Sequence, residues 1–478
     1  MVLPLTLTAC ASLSPQSPLL PNIAVPATWS SAVAAGSISA DSRNAVLARW
    51  WQRFDDPLLD ALITQALRAN TSVNSAQAAL AQARALRDVA AAGLMPKVTG
   101  SASAGRSKSG DISASNAFNT GFDASWEPDV FGGKRSALQA GEASAQASAA
   151  SLAAVQVSIA AETAVSYIQY RGAQTRLMIA RSNLASQLET LQITDWRVQA
   201  GLLTSLEGEQ ARAASEQTRA QIPTLETSVA QIQHSLAVLC GQTPDTLRVQ
   251  LAAVLPVPQA QDDLALSMPT ETLRQRPDVR AAEHQVSAAL ARVGQADAAR
   301  YPSFNLSGSL GLRALTLGTL TGSGVLASAL LGSVSGPLFD AGAAQAQVRA
   351  QQAALEQARL SYQATVLTAL KDVEDALVAL GGDRERLLHL RDATDAAANA
   401  ALIARQRYAS GLIDFQTVLE TQRSLFSTQD AVAITSTDLS ADHVRLYKAL
   451  GGGWQPERDS AMSPAQPGSA NITQPSNS

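Results

Sequence analysis

Ser303-Phe304-Asn305-Leu306-Ser307-Gly308-Ser309-Leu310-Gly311-Leu312-Arg313 is the stretch on which the fold turns. Phe304, Leu306, Leu310 and Leu312 alternate with Asn305, Ser307, Ser309, Gly311 and Arg313. A two-residue period of this length suits a strand with one apolar and one wet face. Phe118, Phe122, Ala124 and Trp126 alternate in the same way with Asn119, Gly121, Asp123, Ser125 and Glu127. Such strands are usually half-buried in a soluble sheet. In a transmembrane barrel the apolar side meets lipid and the polar side lines water. The flanking chain decides between the two.

That chain is duplicated. Ala92–Gly105 parallels Arg300–Gly311, with Pro96 matching Pro302 at an offset of 206 residues (302 − 96). Trp196–Leu202 likewise parallels Arg407–Leu412, with Gly201 matching Gly411 at an offset of 210 (411 − 201). The period is too long for a solenoid unit and reads as one repeated domain. Each half supplies two strands, at about 97–105 and 117–127, then about 303–313 and 326–336, the last poorly patterned. Four strands cannot close a barrel, because small closed barrels need about eight. Several chains must share one barrel, and three chains give twelve strands.

Outside the strands the pattern becomes helical. No proline lies between Pro128 and Pro223 or between Pro337 and Pro456. Val348, Leu355, Tyr362, Val366, Leu370, Val373, Leu377 and Leu380 mark a heptad seam. Leu177, Leu184, Leu188 and Leu191 keep a similar phase. A helix from Lys134 to about Ala200 would run roughly 100 Å at 1.5 Å per residue. Gly172 and Gly381-Gly382 predict a bend or break. The short gaps at Gly201 and Gly411 fold each long helix back onto a partner, about Ser205–Leu239 and Phe415–Leu450.

The 478 residues carry a net charge of −4 and only 4% aromatics, so no basic footprint points to nucleic acid. No run of about 18 apolar residues suggests an ordinary transmembrane helix. Only two cysteines occur, Cys10 and Cys240, and Cys240 reads as a small packed residue near a helix end. Leu7-Thr8-Ala9-Cys10 is the pattern a bacterial lipoprotein signal peptidase cuts after a diacylglyceryl group joins the thiol. The nine-residue leader lacks the Lys or Arg of a basic n-region. No Walker loop is present, and His234, His284, His389 and His443 have no metal-ligand spacing. Neither a catalytic site nor a metal site can be named.

Taken in order, several landmarks resemble the outer membrane efflux protein family, in its lipoprotein branch serving resistance-nodulation-division drug pumps. They are Trp50-Trp51-Gln-Arg-Phe54-Asp-Asp56-Pro57, Trp126-Glu-Pro-Asp129-Val-Phe131-Gly132, Arg276-Pro277-Asp278-Val-Arg280, Gly336-Pro337-Leu-Phe339-Asp340-Ala-Gly342, Val373-Glu374-Asp375, Arg407-Tyr408-Ala-Ser-Gly411 and Leu450–Trp454. The resemblance implies a mostly α fold, in which a long antiparallel coiled-coil helical barrel carries four β-strands per chain. Those strands contribute to a shared twelve-stranded trimeric β-barrel in the outer membrane. It also implies a homotrimer working with a periplasmic adaptor protein and an inner-membrane pump, in contact with outer membrane lipid and without a cofactor beyond lipid on Cys10. The implied divisions are a signal peptide at 1–9, a lipidated linker at 10–42, a first repeat at 43–242, an equatorial inter-repeat segment at 243–269, a second repeat at 270–454 and a disordered tail at 455–478.

The resemblance also assigns roles at the hairpin tips. Gln416, Thr417 and Glu420 stand at the pore-gate positions, where three Glu420 carboxylates would form an acidic ring. Glu207, Tyr408 and Arg423 stand as gate tethers, with an expected hydrogen bond from the Tyr408 hydroxyl to the Glu207 carboxylate. Ile413 replaces an arginine of some relatives. Gly201, Leu202, Gly411 and Leu412 form the expected adaptor-docking tips. Taken alone, Glu420 is an ordinary exposed helix residue, and Trp50 and Trp51 are packing anchors. The function implied is a passive exit duct for drugs or other small toxic compounds. A type I secretion or metal-efflux duct of the same fold is the alternative. A lipid-anchored coiled coil without a pore is a further one.

Overall fold

The computed structural model describes residues 20–21, 23–30, 47–108, 110, 113–260, 269–320, 322 and 326–454. Cys10, the leader and the tail at 455–478 lie outside the described residues.

A single turn of tight helix, Trp50–Phe54, leads into α1 (Pro57–Ala69) and α2 (Thr71–Ala92). Asp56 caps α1 by accepting from the backbone N–H groups of Leu58 and Leu59, with Pro57 at the first helical position. Strands β1 (Lys97–Ser107) and β2 (Ser115–Trp126) follow, then α3 (Gly133–Gln199) and α4 (Ser205–Leu239). After a one-turn helix at Arg248–Leu251 the second repeat supplies α5 (Pro269–Gln275), α6 (Pro277–Ala298), β3 (Ser303–Ala314), β4 (Leu326–Ser335), α7 (Ala343–Ala409) and α8 (Phe415–Ala449). The two copies have the same plan: α2 and α6 rise to the strands, and α3 and α7 descend the full length to a hairpin.

Helices α3 and α7 each have 67 residues, about 100 Å at 1.5 Å per residue. Both run unbroken through the glycines expected to interrupt them. At Gly172 the reason is proximity. A Cβ there would lie 2.3 Å from the Thr437 hydroxyl oxygen, so the hydrogen lets α3 and α8 cross closely. The seam on α7 is real: Val348, Leu355, Val366, Val373 and Leu380 are buried. α3 packs on α1, α2, α4, α6 and α8, and α7 on α6 and α8. By length and composition α3 could cross a bilayer, which the sequence reading did not foresee. Its apolar stretch is instead wall packing, with Ala160, Ala161, Ala164, Tyr167 and Ile168 buried in the main core.

That core sits where both repeats begin and end. Trp50 is fully buried and stacks on Tyr447 at 5.3 Å, while the Trp51 indole N–H donates to Asp60. Cys240 is buried at the end of α4. Its thiol, pushed up to about 11 by burial, is chemically quiet. The segment after α4 is pinned here too. Arg171, fully buried, donates to the Ala253 carbonyl, Gln174 and the Tyr167 hydroxyl, and Tyr167 in turn donates to Asp56. Tyr170 holds the Leu251 carbonyl and Ser440 the Pro258 carbonyl.

Candidate functional site

Two regions carry the functional geometry: the sheet at one end of the long helices and the hairpin tips at the other.

The sheet is a four-stranded antiparallel meander, β1-β2-β3-β4. Its register aligns the alternation across strands. Phe118 faces Ala314, Phe122 faces Leu310, Trp126 faces Leu306 and Phe304 faces Val334. Val98, Phe122, Leu306, Leu310, Leu326, Leu330 and Val334 are all exposed on that face. The other face pairs Thr99 with Asp123, Ser103 with Asn119, Asn119 with Arg313 and Asn305 with Ser333. Leu331 opposite Ser307 is the apolar exception, and it blurred the pattern of β4. Gly121 opposes Gly311 so closely that a Cβ on either would strike the other strand's backbone, which lets the sheet curl there. β1 and β4 each keep one unpaired edge. A half-apolar sheet with two raw edges demands both lipid and neighbours.

Aromatic side chains gather where strand gives way to helix. Phe131 stacks on Tyr301 at 4.8 Å and lies 6.4 Å from Phe304, while the Trp126 indole N–H donates to the Leu94 carbonyl at 3.0 Å. Rings at this level suit a membrane–water boundary.

At the far end the hairpins turn through paired Schellman motifs. Gly201 and Gly411 have φ of +72° and +73°. Leu202 N–H reaches the Arg197 carbonyl and Leu412 N–H the Arg407 carbonyl. Leu202 and Leu412 project from the turns, 73% and 72% exposed. The two hairpins of the chain share a small tip core of Ala211, Ala404, Phe415, Val418 and Leu419, flanked by Leu191, Ala214, Tyr408 and Ile413.

Of the gate positions, Gln416 and Glu420 fall with the tether candidate Arg423 on one exposed stripe of α8, and Gln416 donates to Glu420 at 3.0 Å. Thr417 faces the helix start instead, where its N–H and hydroxyl both donate to the N-cap Asp414. These bonds, the hydroxyl's above all, hold the Asp414 carboxyl below the usual carboxylate range. The expected bond between Tyr408 and Glu207 is not made within the chain. Glu207 accepts from the Thr204 hydroxyl and, at 3.1 Å, from the Thr204 N–H, closing a capping box at the start of α4. The Thr204 hydroxyl bond lowers the Glu207 carboxyl. The Tyr408 hydroxyl is buried with no hydrogen-bond partner among the described residues. What the ring does meet is Arg197, whose guanidinium carbon lies 5.0 Å from its centroid, and Phe415 at 5.4 Å. Arg197 was not anticipated, because no local pattern marks a contact between residues 211 positions apart (408 − 197). Thr204-x-x-Glu207, by contrast, is a visible capping signature.

A sheet needing lipid on one face and partners at both edges, mounted on helices about 100 Å long, defines an outer membrane duct shared between chains. The family model described as outer membrane efflux protein matches residues 62–242 and 268–452. The chain is 33% identical over 467 residues to the pyoverdine export outer membrane protein OpmQ of Pseudomonas putida, spanning 95% of this chain and 97% of that one. It is 30% identical over 426 residues to the toluene efflux pump outer membrane protein TtgF of the same species, spanning 87% of each. Among solved structures it resembles the outer-membrane channel OprN, at 35% identity and a TM-score of 0.82, over 92% of this chain and 100% of that one. The chain belongs to the outer membrane efflux protein family. It is a transport duct rather than an enzyme, and it needs no cofactor to conduct. Its four strands are one third of a barrel closed by three chains.

Proposed function

We propose that three copies of this chain form a passive exit for drugs or similar small toxic compounds. The cargo arrives from an inner-membrane resistance-nodulation-division pump through a periplasmic adaptor. The observation that carries the reading is the pairing of an exposed apolar sheet face with a polar opposite face, above helices long enough to bridge a periplasm. Relatives named for pyoverdine export and for toluene efflux support small-molecule cargo.

Within this duct, Gln416 and Glu420 form the constriction, repeated three times around the axis. The Glu420 ring attracts cations and repels anions. Thr417 fixes the helix start that presents them, and Arg423 stands two turns beyond Gln416 as a tether. Gly201, Leu202, Gly411 and Leu412 are the adaptor-docking tips, their exposed leucines offering apolar anchors. The segment after α4, pinned by Arg171, belongs to an equatorial girdle.

The same proposal includes lipid on Cys10. Trp29 joins the main core with Val373, Ile23 and Val25 pack near Val366, and Leu20 packs on Val286, Ala289 and Leu355. Read from Trp29 back to Leu20, the chain climbs towards the sheet. Leu355 is about 18 Å along α7 from its start at Ala343, and the ten residues from Cys10 to Leu20 reach up to about 35 Å. An acyl group on Cys10 is therefore within range of the membrane.

The test is purified full-length protein measured for mass and for pore current in a planar bilayer. A trimer with steady conductance, made less cation-selective by Glu420→Gln, is the expected result. A non-conducting particle would overturn the duct reading and favour a structural coiled coil. Metabolic labelling with palmitate, lost in Cys10→Ala, tests the anchor separately.

A further inference from the structure

We propose that Arg197 clasps the two hairpin tips of each chain together by holding its guanidinium on the ring of Tyr408. The inference deepens the proposed gate and rests on the tips being the moving part. Arg197 lies in the last turn of α3 and Tyr408 in the last turn of α7, so the contact joins the two hairpins across the repeat boundary. The Arg197 side chain has no carboxylate within ion-pair distance among the described residues, which leaves the aromatic face as its defined partner. A guanidinium over a tyrosine ring is attracted by the ring quadrupole, and more strongly when partly shielded from water.

Tyr408 is placed to receive it. One side of the ring rests on Phe415, in a cluster with Leu191 of α3, Ala211 and Ala214 of α4, Ala404 of α7, and Val418 and Leu419 of α8. All four long helices therefore contribute to the cluster that holds this ring. The hydroxyl oxygen is sealed by its own chain and unpartnered. Neither Glu207 nor a neighbouring subunit can reach it without the tip opening first. The ring, not the hydroxyl, does the holding, and three such clasps bias the trimer towards closure.

The experiment uses full-length trimers in planar bilayers, compared with electron-spin distance measurements between labels on cysteines introduced at Gln199 and Gln406. Neither native cysteine competes for label, since Cys240 is buried at the end of α4 and Cys10 is replaced by serine in the labelled chains. Arg197→Gln and Tyr408→Leu should each raise open-state occupancy about fivefold per chain, the Boltzmann equivalent of one such contact, and by up to about 125-fold where the three chains open together, and broaden the label distances. Their combination should add little beyond either alone. Tyr408→Phe keeps the ring and should close as the parent does, and Arg197→Lys should stay within about twofold because it keeps a cation. The clasp is overturned if Tyr408→Phe opens as widely as Tyr408→Leu, which would restore the hydroxyl. It is also overturned if Arg197→Lys opens as widely as Arg197→Gln, or if Arg197→Gln changes neither current nor distance. Ion selectivity under Glu420→Gln separates the two readings. Broadened distances with selectivity unmoved by Glu420→Gln would keep the clasp and remove the gate.

Discussion

Replacing Gly172 by alanine should destabilise the trimer, although the same change in most helices does the opposite. In a helix interior glycine is about 1 kcal/mol less favourable than alanine, so an unobstructed site would gain that much. At Gly172 the new methyl would stand 2.3 Å from the Thr437 hydroxyl oxygen, 2.7 Å from its methyl and 3.0 Å from its Cβ. Rotating Thr437 to make room breaks its bond to the Ala433 carbonyl, now 2.7 Å, and still leaves the Cβ contact. Overpacking of this kind costs about 1–3 kcal/mol. The net expectation is a loss of about 1 kcal/mol per chain, repeated at three crossings. Gly381 is the control, since nothing described lies within 4 Å of a Cβ placed there. Gly381→Ala should stabilise by about 1 kcal/mol. The assay is thermal dissociation of purified trimers in detergent for both variants, with Gly172→Ala/Thr437→Ala as the relief. If Gly172→Ala melts as high as Gly381→Ala, the close crossing of α3 and α8 is not what the glycine is for.

Three further outcomes follow from other parts of the molecule. Leu330 and Ala329 are neighbours on opposite faces of β4; Leu330→Arg should block trimer assembly, since arginine facing mid-bilayer lipid costs about 2–4 kcal/mol per chain, whereas Ala329→Arg should assemble and only alter conductance. Arg171→Leu leaves the Ala253 carbonyl and Gln174 without their charged donor, at about 3 kcal/mol, and should expose the 252–260 segment to limited proteolysis without preventing trimer formation. The Glu207 carboxyl sits below its ordinary value of 4.5 because the Thr204 hydroxyl donates to it. Its capping contribution is thus complete above that value and is lost only as acid carries the pH down through the lowered one. Amide protection factors at the start of α4, corrected for the intrinsic pH dependence of exchange, should hold steady at pH 5–7 and fall in stronger acid, a fall that Glu207→Gln should abolish.

Strand β3 was readable because its alternation is nearly perfect, and because four strands cannot close a barrel, the need for partner chains was readable as well. β4 was harder, since Leu331 puts a large apolar group on the polar side. The heptad seam of α7 gave away the hairpins, and Gly201 and Gly411 their turns. Gly172 misled. A glycine that interrupts a helix and one that admits a neighbour look identical until Thr437, 265 residues away (437 − 172), is in place. Glu207 carries two readings at once, because the family's tether position coincides with a Thr-x-x-Glu cap that the local sequence explains by itself. Arg197 carried no local signal at all; its partner is fixed only by how the two hairpins lie together.

The unpaired borders of β1 and β4 mean that a lone subunit is an unfinished object. Its melting point is not an intrinsic constant but rises with concentration, as for any obligate assembly. A newly made subunit with a bare strand edge is also a template for wrong partners. Insertion and association must therefore be coupled in time, and a shortage of siblings should show up in the cell as proteolysis rather than as idle monomer.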